Sequence, residues 1–84
     1  MQLNDAIRLR LEQLMKEHNK SKYQLSCDAG VNPSQLNDFF RGRISYPRID
    51  TLYLLCEGMN ITLDDFFRSP LFSIENIEVN DMLD

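Results

Sequence analysis

Residues 33–41 carry hydrogen-bonding side chains at the spacing of one face of a helix. In a helix, Leu36, Phe39 and Phe40 fall together on one side. The side chains on the other side have short or planar polar head groups: they are Ser34, Asn37, Asp38 and Arg41, with Gln35 on the flank. Hydroxyls, amides and carboxylates of this kind can form hydrogen bonds to base edges in the major groove of DNA. We therefore assign base reading to Ser34, Asn37, Asp38 and Gln35.

Positively charged side chains flank this polar face instead of being scattered along the chain. Lys20 and Lys22 precede it, and Arg41, Arg43 and Arg48 follow it. Cations can bind phosphate oxygens, which position a protein on DNA without reading its sequence. The residues expected to contact the DNA backbone are Lys22, Asn32, Arg41, Arg43 and Arg48. A polar helix face is also the ordinary surface of a small helical protein, so only the combination of features favours DNA.

Two short helices and a tight turn are predicted to position these groups. Ser21 and Gln24 form a capping box, in which the Ser21 hydroxyl accepts from the Gln24 amide and the Gln24 side chain reaches back. The helix that they start ends at Gly30, which suits a left-handed cap. Asn32 then caps the next helix, with Pro33 at its first position. A short connection containing Gly is typical of a helix-turn-helix unit.

Three further helices are predicted from apolar residues at spacings of three and four. Those of the first helix, over residues 5–18, are Leu3, Ile7, Leu11 and Leu14, with Asn4 as its cap. Those of the fourth helix are Ile49, Leu52, Leu55, Cys56 and Met59, with Asn60 closing it. Those of the fifth helix are Leu63, Phe66 and Phe67, after a cap at Thr62 and before Pro70. The predicted fold class is all-α, with five helices around one core.

The chain is expected to divide at about residue 70. Residues 1–69 are predicted to form one helix-turn-helix domain and residues 70–84 a C-terminal tail. The tail has apolar residues spaced by two, which suggests an extended segment: Phe72 with Ile74, then Ile77 with Val79. Two interpretations remain open, namely a frayed terminus and a dimerisation segment or strip that closes over the core.

Composition limits the function classes. The 84 residues, of which 43% are hydrophobic, suffice for one small domain. Residues 1–48 carry eight of the nine Lys and Arg and five of the thirteen acids, a balance of +3, whereas residues 49–84 carry a balance of −7. The net charge of −4 therefore does not exclude DNA.

The same composition gives no sign of an enzyme, a membrane protein or a secreted protein. No segment is apolar enough to span a membrane, and the N-terminus lacks the apolar core of a signal peptide, so a cytoplasmic protein is expected. Cys27 and Cys56 are too few for a disulfide scaffold, and with His18 they make no zinc motif. We expect no cofactor, no metal and no catalytic residues. Cys56 is predicted to lie in the core and Cys27 on the outer side of the second helix.

The segment SKYQLSCDAGVNPSQLNDFFRGR, continued by YPRIDTLYLLCEGMNITLDDFF, resembles the Xre/Cro-type helix-turn-helix domain of phage repressors and bacterial regulators. The resemblance covers roughly residues 7–67, and its landmarks are Ser21, Leu25, Gly30, Val31, Leu36, Arg41, Gly42, Pro47, Thr51, Leu52, Leu55 and residues 61–65. The resemblance implies a five-helix, lambda-repressor-like domain. The third helix of such a domain would enter the major groove. Domains of this family often bind a two-fold operator as dimers.

Several positions depart from the pattern of this family. Pro33 stands ahead of Ser34 on the third helix instead of a donor, so base reading must depend on Ser34, Asn37 and Asp38. Lys22 stands where the family usually has a Gln that can contact a base or a phosphate. Many members also pair an Arg late in the first helix with a Glu near the end of the third, and here these positions are Met15 and Phe40. Replacement of such an ion pair by an apolar contact is often neutral or stabilising, because no charge must be desolvated. We therefore expect Met15 to pack on Phe40.

These observations favour a transcriptional repressor that binds specific sequences of double-stranded DNA. It is expected to bind as a homodimer on two half-sites that lie one helical turn, roughly 34 Å, apart. Exposed apolar side chains at the following sites could support self-association: Leu9, Tyr53, Leu54, Phe72 and Ile74. Tyr23 and Tyr46 either offer hydroxyls to phosphates or cover the edge of the core. The alternative function is a protein-interaction module, an antitoxin or adaptor whose acidic half faces a basic partner.

Overall fold

The computed structural model describes residues 1–43 and 46–78. It contains five α-helices: α1 (Leu3–Glu17), α2 (Lys22–Ala29), α3 (Pro33–Phe40), α4 (Ile49–Gly58) and α5 (Leu63–Phe67). A 3₁₀ turn at Pro70–Phe72 follows them. The described residues contain no β-strand, and the predicted all-α, five-helix fold is confirmed. None of the helices in these two ranges has the length and apolar character needed to cross a bilayer.

The side-chain caps predicted for three of the helices are present. The Ser21 hydroxyl accepts from the Gln24 amide at 3.0 Å, and the Thr62 hydroxyl accepts from the Asp65 amide at 3.1 Å. The Asn32 side chain accepts from the Ser34 amide at 2.8 Å. Each bond satisfies a backbone N–H that the helix itself leaves without an acceptor.

Other predictions about helix ends are wrong. The Gln24 side chain does not complete the capping box, because its amide donates to the Asp28 carboxylate one turn further along α2 at 3.3 Å. Asn4 does not cap α1, which starts at Leu3 with Gln2 at the N-cap position. The Asn4 side-chain oxygen is instead buried, and it accepts no hydrogen bond from the described residues. α1 ends at Glu17, and the exposed His18 is its C-cap.

One hydrophobic core lies between the helices. Its buried members are Ile7, Leu11, Leu14, Met15, Leu25, Ala29, Val31, Leu36, Phe39, Leu52, Leu55, Cys56, Met59 and Phe66. Phe40 packs against this core from a half-buried position, and its contact with Met15 stays a prediction. Burial raises the pKa of the Cys56 thiol to about 11, so this thiol stays protonated at neutral pH.

Two apolar residues expected in the core lie elsewhere. Ile49, the first residue of α4, is 66% exposed, although helical spacing places it on the same side of α4 as Leu52 and Cys56. Phe67 is 36% exposed and packs its ring edge-on against Phe66, at 5.0 Å between centroids, and against Phe72, at 4.9 Å. Phe72 is therefore a half-buried neighbour of the core and not an exposed apolar residue.

The described part of the tail folds back on the domain. The Asn76 side chain donates to the Leu71 carbonyl at 2.7 Å, and the Glu78 amide donates to the Met1 carbonyl at 2.7 Å. Residues 70–76 form the 3₁₀ turn and further turns, so the prediction of an extended segment is wrong there. Beyond them, Gln2 and Glu78 form a parallel β-bridge. Ile74 is 93% exposed. Val79 and the residues after it lie outside the described ranges.

Gly58 of α4 lies close to Ala29, the last residue of α2. A Cβ atom at Gly58 would lie 3.0 Å from the Cβ and the backbone N of Ala29, whereas carbon atoms in contact are ordinarily about 3.5–4.0 Å apart. Gly58→Ala should therefore lower the free energy of unfolding. The steric overlap costs about 1–3 kcal/mol, which exceeds the gain of about 0.5–1 kcal/mol from the higher helix propensity of Ala. Thermal unfolding measures this change. Glu57→Ala, at the exposed neighbouring position, is the control and should leave the transition nearly unchanged; equal transitions for both variants would contradict the close packing.

Candidate nucleic-acid interface

The turn between α2 and α3 is fixed by its backbone hydrogen bonds. Gly30 adopts the left-handed conformation with φ 69° and ψ 28°, which a residue with a Cβ atom rarely tolerates. The Val31 amide donates to the Ser26 carbonyl at 3.0 Å, and the Val31 side chain is only 7% exposed. This hydrophobic and hydrogen-bonded cap determines the direction in which α3 leaves α2.

An arginine of α1, which was not predicted from the sequence, contacts the C-terminal end of α3. The inner side of α3 is formed by the buried residues Leu36 and Phe39. The Arg8 side chain of α1 donates from Nε to the Phe39 carbonyl at 2.9 Å, and its guanidinium lies 5.2 Å from the centroid of the Phe39 ring. A cation at this carbonyl also complements the negative end of the α3 dipole. Arg8 therefore ties α1 to the C-terminal end of α3.

The four predicted base-reading residues lie on the outer and flanking sides of α3. Ser34 and Gln35 are exposed, and Asn37 and Asp38 are half-buried. A cleft of about 300 Å³ lies between α3 and the first turn of α2, and it is lined by Lys22, Tyr23, Pro33, Ser34 and Asn37. The outer face of α3 and the start of α2 thus form one continuous surface.

Gln35 faces the opposite flank of α3. It lines a recess of about 190 Å³ between α3 and α4, together with Leu36, Phe39, Tyr46, Pro47, Arg48, Thr51 and Leu55. Most of these side chains are apolar, so Gln35 sits at the border between the polar face and the core. The prediction of Gln35 as a flanking residue agrees with this position.

The cations expected around this surface differ in how they are paired. The Lys22 Nζ atom lies 4.7 Å from the centroid of the Phe40 ring. Arg41 is the exposed C-cap of α3, and the exposed Arg43 has its guanidinium 3.8 Å from the Asp38 carboxylate. Asn32 already uses its side-chain oxygen as the cap of α3. Lys20 pairs with Asp28, and the hydrogen bond from Lys20 is the main reason that the pKa of Asp28 is lowered.

Arg48 forms a forked ion pair at the start of α4. Its Nε atom donates to one Asp50 oxygen at 3.1 Å and a terminal nitrogen donates to the other at 3.0 Å. The hydrogen bonds from Arg48 lower the pKa of Asp50, which therefore stays ionised. The two charges cancel locally, so Arg48 offers less positive potential than its charge suggests.

The two tyrosines that border this surface are exposed, and Tyr46 also lines the recess beside the core residues Leu36, Phe39 and Leu55. Tyr23 is 69% exposed and Tyr46 is 49% exposed. A hydrogen bond with the Cys27 side chain raises the pKa of Tyr23, and Cys27 is exposed on α2 as predicted. Within residues 1–43 and 46–78, no three His, Cys, Asp or Glu side chains come together as metal ligands.

Comparison with known proteins identifies a family and a related structure. A family model described as a Cro/C1-type helix-turn-helix DNA-binding domain matches residues 10–70. The crystal structure of the prophage Lp1 protein 11 is similar at 30% sequence identity with a TM-score of 0.75, over 83% of this chain and 93% of that chain. Among curated proteins, none matches the sequence.

Proposed function

Because the chain belongs to the Cro/C1-type helix-turn-helix DNA-binding domain family, we propose that it is a sequence-specific transcriptional regulator, acting as a repressor, that reads the major groove with α3. The observation that carries this proposal is the outer face of α3, which presents Ser34 and Asn37 to a cleft that Lys22 also lines. Occupation of promoter DNA by such a domain would exclude other proteins from the same site. The proposal includes the cytoplasmic location expected from the sequence.

Each base-reading residue has a partner that suits its chemistry. The Asn37 amide can donate and accept at the two polar atoms on the major-groove edge of adenine, and Gln35 can do the same from the flank. Asp38 can accept from the exocyclic amine of cytosine. The Ser34 hydroxyl can donate to or accept from any base within reach. Asp38 also repels phosphate, which favours docking with this carboxylate directed at the bases.

The DNA backbone would be held on both sides of α3. Lys22 would contact phosphate from the start of α2, and Arg41 and Arg43 would do so beyond the end of α3. Asn32 would contribute through its side-chain N–H group, since its oxygen is the helix cap. Arg48 must first exchange Asp50 for phosphate, so its contribution is expected to be the smallest.

We also propose that two copies bind one operator. Protein two-fold symmetry would then match a palindromic site, with half-sites one helical turn, roughly 34 Å, apart. Exposed apolar side chains are available for contact between the copies: they are Leu9, Tyr53, Leu54 and Ile74. Analytical ultracentrifugation of the protein on a selected duplex gives the stoichiometry, and one copy per operator would contradict this part of the proposal.

Selection of bound duplexes from a random pool, followed by a salt titration, tests the proposed function. A common sequence should emerge, and the affinity for it should fall as salt rises because bound phosphates release counterions. Mismatched duplexes should bind more weakly by about 1–3 kcal/mol for each changed base pair. If no duplex binds even at low salt, the proposal is wrong.

Asp50→Asn is expected to tighten DNA binding. The substitution removes a carboxylate near the interface and releases the Arg48 guanidinium from its forked pair. One additional phosphate contact would steepen the dependence of log K on log salt by about 0.9. Asp64→Asn is the matched control, because Asp64 of α5 pairs with Arg68, the C-cap of that helix, and its loss changes the net charge equally. Equal effects of the two substitutions would show that Arg48 does not contact DNA.

A further inference from the structure

A lysine and an aromatic ring join the two helices of the helix-turn-helix on the side of the cleft. Lys22 is the first residue of α2 and Phe40 is the last residue of α3. The Lys22 Nζ atom lies 4.7 Å from the centroid of the Phe40 ring, within the range of a cation–π contact.

The Phe40 ring is itself held in place. It is half-buried against the core, and it meets the Phe39 ring edge-on, with 5.9 Å between centroids and 64° between planes. Phe39 is in turn fixed by burial and by the Arg8 guanidinium. The ring next to Lys22 is therefore packed against the core and against Phe39, unlike a fully exposed side chain.

The contact leaves the charge of Lys22 uncompensated. Lys20, Arg43 and Arg48 each form an ion pair with a carboxylate, whereas Lys22 forms none within the part of the chain that the structure describes. An aromatic face attracts a cation without neutralising it. Lys22 can therefore bind a phosphate without first breaking an ion pair.

We infer that Phe40 is a positioning residue that holds the Lys22 ammonium at the rim of the cleft, oriented for a phosphate of the DNA backbone. The inference rests on the proposed function. A free lysine side chain loses rotamer entropy when it is fixed on a phosphate. The ring restricts those rotamers before DNA arrives, so part of this loss has already occurred in the free protein.

A double-mutant cycle on DNA affinity tests the inference. Phe40→Leu should weaken binding of the selected duplex by about two- to fivefold, because Lys22 then loses on binding the rotamer entropy that the ring had already removed in the free protein. Lys22→Met should weaken binding and reduce the salt slope by about 0.9. In the Lys22→Met background, Phe40→Leu should have no further effect, and Phe40→Tyr should retain the wild-type affinity because it keeps the ring.

Controls separate positioning from a general loss of structure. In the background of Lys16→Met, an exposed lysine of α1, Phe40→Leu should still have its full effect. If Phe40→Leu weakens binding equally in the Lys22→Met background, Phe40 acts only through the fold and the inference is overturned. The ¹H shifts of the Lys22 side chain in the free protein provide a readout without DNA: ring current should move them upfield, and Phe40→Leu should abolish the shift.

The outcomes distinguish the inference from the proposed function. If the wild-type protein binds a duplex with normal salt dependence but the cycle is additive, the inference alone is wrong. If the wild-type Lys22 protons show no upfield shift, the ring contact is absent and the inference is again wrong. If no duplex binds, the proposed function fails and the inference fails with it, even where the ring-current shift is present.

Discussion

Asn37→Ala is expected to weaken binding of the selected duplex by about 1–3 kcal/mol, the value of one bidentate contact to a base, which is roughly 5- to 150-fold. Asn37 lies at the centre of the outer face of α3 and lines the cleft next to Ser34. Since the amide carries both a donor and an acceptor, its removal should also relax the preference at one base-pair position. Titration of the selected duplex and of its single-base variants measures both effects.

Gln13→Ala provides the matched control for this substitution. Gln13 is an exposed amide on α1 that does not line the cleft, so its loss should leave the affinity for DNA unchanged. Equal and small effects at both positions would contradict base reading by Asn37. If Asn37→Ala abolishes DNA binding, an antitoxin or adaptor contact formed through the acidic half should survive, so the same variant also separates the two function classes.

Phe66→Ala should give the largest loss of stability of any substitution considered, about 3–5 kcal/mol. The Phe66 ring is fully buried, and it contacts both Phe67 and Phe72. Its backbone carbonyl also accepts from Arg10 of α1 at 2.7 Å, so α5 is docked at this point from two sides. The substitution leaves a cavity where α5, α1 and the 3₁₀ turn meet, and the surrounding side chains can fill it only in part.

Phe67→Ala is the control for this prediction, since the adjacent ring is 36% exposed and loses less contact. Urea unfolding of both variants gives the free energies, and the denaturant dependence should be similar if unfolding stays two-state. Equal losses for the two variants would contradict the central position of Phe66. If Phe66→Ala lowers the free energy of unfolding less than Phe67→Ala does, Phe67 and not Phe66 is the main core residue of α5.

Local signals in the sequence predicted much of the fold. The caps at Ser21, Asn32 and Thr62 satisfy backbone donors within three residues, and Gly30 needs only its own left-handed conformation. Such signals act over one turn of chain, so they can be recognised without knowledge of the tertiary structure. They set the start of α2, the turn and the start of α3, which are the parts that orient the outer face.

Long side chains account for most of what the sequence analysis missed. Arg8 and Arg10 reach from α1 to backbone carbonyls at the ends of α3 and α5, more than thirty and fifty residues away along the chain. Lys22 and Phe40 meet only because the turn brings the two helices together. The pairing of Arg48 with Asp50 could have been suspected from their spacing, but its fork depends on how α4 begins. The spacing of apolar residues in the sequence identifies which face of a helix is buried. Contacts between long side chains and a neighbouring helix depend on the position of that helix, which the spacing does not give.

The most direct test of the surface that meets DNA is an NMR titration of the ¹⁵N-labelled protein with the selected duplex. The largest amide shift changes are expected at residues 22–24 and 33–41, in the first turn of α2 and along α3. The amides of α5 and of the 3₁₀ turn should change little. Changes confined to α4, α5 and the tail, with α3 unaffected by a duplex that binds, would contradict the proposal that α3 reads the DNA.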